Sequence, residues 1–306
     1  MTQTPTPQTT RPTRAAARPA SGQAVTPTSV WRRPLVRVPI MLVGFAVVMA
    51  AANSIAAGFG HPALALTLGP VLAVAVMALY ALAVRVFERR PVTELAPTRA
   101  PGGLLLGLAI GIVLAGAAMG IIALLGGFQI VGWGSVPGAL TIAGTMMTVA
   151  VAEEVLFRGV VFRVVEGRFG TTIALVVSAL LFGLIHLVNP GATLWGALAV
   201  AIEAGLVLGA AFVATGSLWL PIGVHLAWNA MTVAVFGTNG SGTETQNALV
   251  QSSTSGDVWL TGGTFGPEAS VISIIVCSIA TAGFLAVAKR RGRIVTLREA
   301  AVTYLR

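Results

Sequence analysis

From residue 36 onward the chain alternates apolar runs with short polar or Gly/Pro-marked breaks. The runs fall at about 36–57, 63–87, 103–126, 139–165, 171–188, 192–214, 217–236 and 268–288. Stretches of roughly 18 to 25 apolar residues are long enough to cross about 30 Å of hydrocarbon at 1.5 Å per residue. The pattern predicts an all-α, polytopic integral membrane protein with about eight transmembrane helices. Three parts follow: a tail over 1–34, an eight-helix membrane domain over 35–288, and a basic tail over 289–306. In the first tail Pro5, Pro7, Pro12, Pro19 and Pro27 stand too close together for a helix to propagate, which predicts disorder. That tail has no apolar core of a cleavable signal peptide. Its Arg-rich, acid-free character suits an organellar transit peptide, but the prolines spoil the amphipathic helix such a peptide needs.

Composition agrees with a bilayer. Only 9% of residues are charged and 56% are hydrophobic, too little polar surface for a water-exposed globule. The net charge of +9 is then read as orientation rather than as nucleic-acid binding. The basic residues fall before the first run, between the second and third, at the end of the fourth and after the eighth. The opposite loops, including the Thr/Ser/Gly-rich stretch 237–267, carry none. By the positive-inside rule both termini face the cytoplasm. Gly103, Gly107 and Gly111, then Gly116 and Gly120, and later Gly205 and Gly209 are spaced for close helix packing. There is no convincing internal repeat, which argues against an inverted-repeat transporter. The single cysteine, Cys277, excludes an intramolecular disulfide and a cysteine metal cage, and it reads as a small buried hydrophobe.

Charges inside the apolar runs demand explanation. Glu153 and Glu154 lie in the fourth run with Arg158 one turn on, Glu203 interrupts the sixth, and His186 and His225 lie in the fifth and seventh. At about 2.5 to 3.5 kcal/mol each, four unpaired charges cost roughly 10 to 14 kcal/mol, so they must face one another or a hydrated cavity. Glu154 and Arg158, four apart, share a helix face and can pair, while Glu153 points about 100° away and is left free to take a proton. His225 and Asn229 share another face, and Phe182 precedes His186 by one turn. Glu203 reads as structural and His61, beside Pro62, as interfacial.

The segment Glu153-Glu154-Val-Leu-Phe-Arg158 resembles the EExxxR signature of the CaaX-protease and bacteriocin-processing (CPBP, or Abi) intramembrane proteases. Phe182-Gly-Leu-Ile-His186 is similar to that family's FxxxH signature, and His225-Leu-Ala-Trp-Asn229 to its HxxxN signature. The resemblance spans about 140–236. It implies a helical membrane endopeptidase in which Glu153 activates water with help from His186. His225 and Asn229 would stabilise the oxyanion or complete the site, and Glu154 with Arg158 would support it. The cofactor stays open. Glu153, His186 and His225 could hold a divalent metal such as zinc, but without the HExxH pair of a zincin helix a glutamate-activated water needs none. The partners expected are the bilayer and a membrane-embedded or lipidated peptide or protein, not nucleic acid. The Arg/Ala-rich, Lys-poor composition suggests a high-GC bacterium and hence its plasma membrane, where peptide or membrane-protein processing is expected over prenylated substrates. Two alternatives stand beside the peptidase: a non-enzymatic immunity or scaffold protein on the same fold, and a proton-coupled transporter using Glu153, Glu154 and Glu203.

Overall fold

The computed structural model describes residues 34–304. The tail expected over 1–34 lies outside these residues except for Pro34. The helices are α1 (Pro34–Ala57), α2 (Pro62–Ala83), α3 (Ala100–Leu124), α4 (Val136–Glu154), α5 (Arg163–Ile185), α6 (Leu194–Val200), α7 (Leu206–Thr215), α8 (Trp219–Asn229), α9 (Val258–Thr261), α10 (Val271–Arg290) and α11 (Leu297–Tyr304). Wider π-helical stretches continue four of them, at Val84–Glu88, Val155–Phe162, Ala201–Gly205 and Ala230–Val235.

Among the described residues six helical segments are long and apolar enough to span a membrane, and Trp219–Val235 is a shorter apolar helix. One of the six runs for 53 residues, Val136–Val188, and breaks at Gly170, whose φ of 80° only glycine adopts cheaply. That break supplies two of the expected runs, so every apolar run falls on a helix. The protein is a polytopic, mainly helical membrane protein. The pattern did not foretell a two-stranded antiparallel sheet, β1 (Phe128–Trp133) with β2 (Val250–Thr254), which ties the α3–α4 connection to the long polar loop. Nor did it foretell α11, which docks on α5 through hydrogen bonds from Thr171 N to Val295 O (2.9 Å) and from Val295 N to Thr171 Oγ1 (2.8 Å).

Close packing follows the small residues. A methyl group at Gly107 or Gly111 would lie 2.4 to 2.5 Å from carbonyl oxygens of α8, so α3 and α8 touch backbone to backbone. Gly69 of α2 and Gly144 of α4 make a second such contact. Gly116 and Gly120 correct the expectation: both face open space. The buried face of α3 continues from Gly111 through Ala115, Ala118, Met119 and Ile122 and leaves those two glycines to one side.

Basic residues gather with acids at one end of the bundle. Tyr80 hydroxyl and Arg163 both reach Glu94 and the Gly159 carbonyl, while Arg90 reaches Glu88 and Glu94. Glu94 also ties α8 into this end, its carbonyl accepting from Leu218 N at 2.9 Å. Burial alone would raise the Glu94 carboxyl, but hydrogen bonds from Arg90 and the charge of Arg163 outweigh it and hold the group at about 2. A depressed carboxylate contributes stability above its unfolded value of 4.5 and loses it as pH falls toward about 2. The stability of the detergent-solubilised protein is therefore expected to fall across that acid window, by at most about 3 kcal/mol from this group, and the thermal midpoint with it. Glu94→Gln should lower the midpoint at pH 7 and flatten the acid limb; an acid limb of unchanged steepness would refute the assignment.

Candidate active site

Glu153 and Glu154 are the last two residues of α4, and Arg158 lies in the π-helical stretch that follows. Arg158 is fully buried, at 0% exposure. Its Nη1 donates to Glu154 Oε1 at 2.8 Å, and its Nη2 donates to the carbonyls of Ala204 (3.3 Å) and Gly205 (3.2 Å). These carbonyls belong to the π-helical turn Ala201–Gly205, whose loosened ladder leaves oxygens for the guanidinium. The ring of Phe182 lies 4.7 Å below the guanidinium carbon, a cation–π contact that strengthens with desolvation.

The histidines assemble around the same ring. His225 Nδ1 donates to Glu154 Oε1 at 3.0 Å, which turns Nε2 toward Glu153 Oε2 at 3.8 Å. His186 Nδ1 donates to the Phe182 carbonyl at 2.7 Å. A carbonyl can only accept, so the proton sits on Nδ1 and Nε2 keeps its lone pair. The Phe182 ring centroid is 5.0 Å from that of His186 and 6.0 Å from that of His225. Arg158, Glu154, His225 and Glu153 thus form one continuous polar chain, with Phe182 spacing the two imidazoles. Glu153, His186, His225 and Asn229 all line one cavity of about 750 Å³, within the usual range for small-molecule and peptide pockets.

All seven residues singled out from the sequence meet around this cavity or directly behind it. Counting residues from the basic side puts His225 about 10 Å shallower than Glu153, a difference the fold removes. The continuous helix made of α4, the π-helical stretch Val155–Phe162 and the start of α5 runs on to Gly170 past the level of Arg163, whereas α8 begins level with Glu94, the partner of Arg163. His61 caps α2, its Nδ1 accepting from Ala63 N at 3.1 Å.

Three further groups belong to the same cavity. Glu203, buried in the π-helical turn, accepts a hydrogen bond from the Cys277 thiol at 3.3 Å, so the cysteine is a polar partner as well as a small core residue. Glu268 lines the cavity from the turn before α10. In the sequence Glu268 stands at the first position of the eighth apolar run, where a charge reads as a helix-end residue and not as an intramembrane one. Among the described residues no group of three or more His, Cys, Asp or Glu side chains is arranged to hold a metal ion.

Fold and site together define a class: a multi-pass helical membrane protein with a buried carboxylate–histidine centre. Residues 135–231 match the family model described as Type II CAAX prenyl endopeptidase Rce1-like, which bears out the resemblance read from the three motifs. That family is one of intramembrane CAAX-type proteases, and the matched segment runs from the start of α4 to just beyond Asn229. No curated protein and no solved structure matches the chain.

Removing Arg158 would leave Glu154 as an uncompensated buried charge, which costs about 3 to 5 kcal/mol. Arg158→Met is expected to lower the thermal midpoint sharply, and Arg158→Lys nearly as much, because an ammonium cannot reach Glu154 and two carbonyls together. Adding Glu154→Gln to Arg158→Met should recover part of the loss, a coupling that a double-mutant cycle measures.

Proposed function

We propose that the protein is an intramembrane endopeptidase of the bacterial plasma membrane, with both termini cytoplasmic, that hydrolyses a peptide bond in a membrane-associated or lipidated substrate. Glu153 takes a proton from a water molecule as its oxygen attacks the scissile carbonyl carbon. The oxyanion so formed is met by the Asn229 amide and by Nε2–H of His225 in its doubly protonated form, the form in which Nδ1 also donates to Glu154, and Nε2 of His186 accepts from the same water and aims it. The protonated Glu153 then delivers its proton to the amine nitrogen as the C–N bond breaks, giving a carboxylic acid and a free amine. Glu154, pinned by Arg158, orients His225. The observation that carries this reading is the 3.8 Å approach of His225 Nε2 to Glu153 Oε2 beside a cavity, with Glu154 held by Arg158 and His225 behind them. A general base contributes about 10²- to 10⁴-fold and an oxyanion donor about 10²- to 10³-fold. In this reading the water is activated by glutamate, and no step is routed through a metal.

Glu153→Gln and His186→Ala are expected to reduce cleavage by at least about 100-fold while leaving membrane level and thermal midpoint near wild type. Asn229→Ala should lower kcat with little change in KM. The readout is peptides released from the membrane proteome, compared between wild type and Glu153→Gln. Full activity in either of the first two variants would defeat the proposal. An unchanged cellular phenotype in both would favour the scaffold reading, and gradient-dependent uptake in proteoliposomes the transporter.

A further inference from the structure

The cavity has a second polar pole that the hydrolytic reading does not use. Glu203 is 1% exposed, and while its Oε1 accepts from Cys277, its Oε2 has no hydrogen-bond partner although it lies on the cavity wall. Glu268, 2% exposed, lines the same cavity; the Ser241 amide donates to its Oε2 at a long 3.4 Å, and Trp228 and His225 lie near it. The Asn53 amide oxygen, also buried and without a partner, is a further acceptor on this wall.

The balance of charge is one-sided. Four glutamates line the cavity and no lysine or arginine does; Arg158 is committed to Glu154 and to backbone carbonyls behind the wall. Glu244, the exposed member of the four, belongs to the polar loop at the end of the molecule opposite the basic cluster. A cation moving from that rim inward meets carboxylates and no fixed positive side chain, the arrangement that focuses positive ligands. A buried carboxylate oxygen without a partner costs several kcal/mol unless a ligand or a proton compensates it. A metal ion does not suit these donors, which do not group in threes with other His, Cys, Asp or Glu side chains. An organic cation with several N–H donors does. Glu203 also sits in a π-helical turn, a distortion found mostly where a helix serves a site.

We propose that Glu203 and Glu268 form a cation-accepting subsite, so that the substrate carries an arginine or lysine side chain near the bond that is cut. This rests on the endopeptidase reading for the meaning of "substrate", but the binding it predicts does not. The guanidinium would replace the missing partner of Glu203 Oε2 and share the second carboxylate, converting uncompensated acid into a desolvated, charge-assisted contact.

Binding separates this proposal from catalysis. The full-length Glu153→Gln variant, in detergent micelles, is titrated calorimetrically with three acetylated and amidated Leu/Ala peptides. They carry a single arginine, a single citrulline of the same shape without charge, or neither; a fourth peptide carries only a free α-amino group. The arginine peptide is expected to bind about tenfold tighter than the citrulline peptide. Glu203→Gln, added to the same background, should erase that gap, and Glu268→Gln should narrow it while leaving the thermal midpoint in place. Equal binding of the two peptides, or a gap that survives both substitutions, overturns the proposal; tighter binding of the α-amino peptide than of the arginine peptide overturns the choice of a side chain. Hydrolysis is scored separately on the same peptides with wild-type protein. A binding gap without cleavage would sink the endopeptidase reading and keep the subsite.

Discussion

The constraint on which the structure depends is that Arg158, fully buried in an apolar bundle, must find acceptors for both its Nη groups. One carboxylate, two backbone carbonyls and an aromatic face meet it, and each comes from a different part of the chain. The guanidinium thereby fixes the relative placement of α4, of α5 through Phe182, and of the π-helical turn between α6 and α7. Desolvating a guanidinium costs several kcal/mol that only near-complete satisfaction offsets. The pair with Glu154 is therefore better understood as a device for holding one arrangement of helices than as a source of net stability. His225 reads out that arrangement, because the oxygen that accepts from Arg158 also accepts from its Nδ1.

Close helix contact is the second requirement, and it explains why glycine occurs where it does. His225 lies on α8, which α3 can approach at backbone distance because Gly107, Gly111 and Gly223 present no side chain. In lipid no hydrophobic force draws apolar helices together, so contact of this kind, together with interhelical hydrogen bonds, has to supply the association. Larger residues at these positions would push α8 outward, and the 3.0 Å hydrogen bond from His225 to Glu154 would be lost first, since hydrogen bonds tolerate less displacement than packing does.

The order in which these features could be read from sequence follows from their range. Apolar runs are local and long, so the helices were legible, and the Glu154–Arg158 spacing is a single helical turn. The convergence of Glu153, His186 and His225 was legible because charges in apolar runs have few permitted destinations. Tyr80 with Glu94 was not, because Glu94 sits in a short polar connection where a carboxylate attracts no notice, and the hydroxyl that reaches Gly159 comes from 79 residues away. The hydrogen bond of Cys277 to Glu203 crosses 74 residues, and nothing in the neighbourhood of either residue announces the other. The sheet escaped for a related reason. Its strands are short, lie outside the apolar runs and pair across most of the membrane domain, so neither carries a period strong enough to stand alone.

The two groups of buried acids make the physical logic of the cavity explicit. Glu154 takes two charge-assisted hydrogen bonds on one oxygen, from Arg158 and from His225, and lies behind the cavity lining rather than on it. Glu203, which does line the cavity, has one weak thiol donor and a buried oxygen without a partner. A bundle selected only for stability would fill such a site with a hydrophobic side chain, because burying a carboxylate without a partner is among the costliest choices available to it. Retaining the acid makes sense when its partner arrives from outside. That argument holds for any positively charged visitor, which is why the neutral citrulline isostere, identical in shape, is the informative comparison. It isolates charge from fit, and charge is the only property of the visitor that the wall specifies.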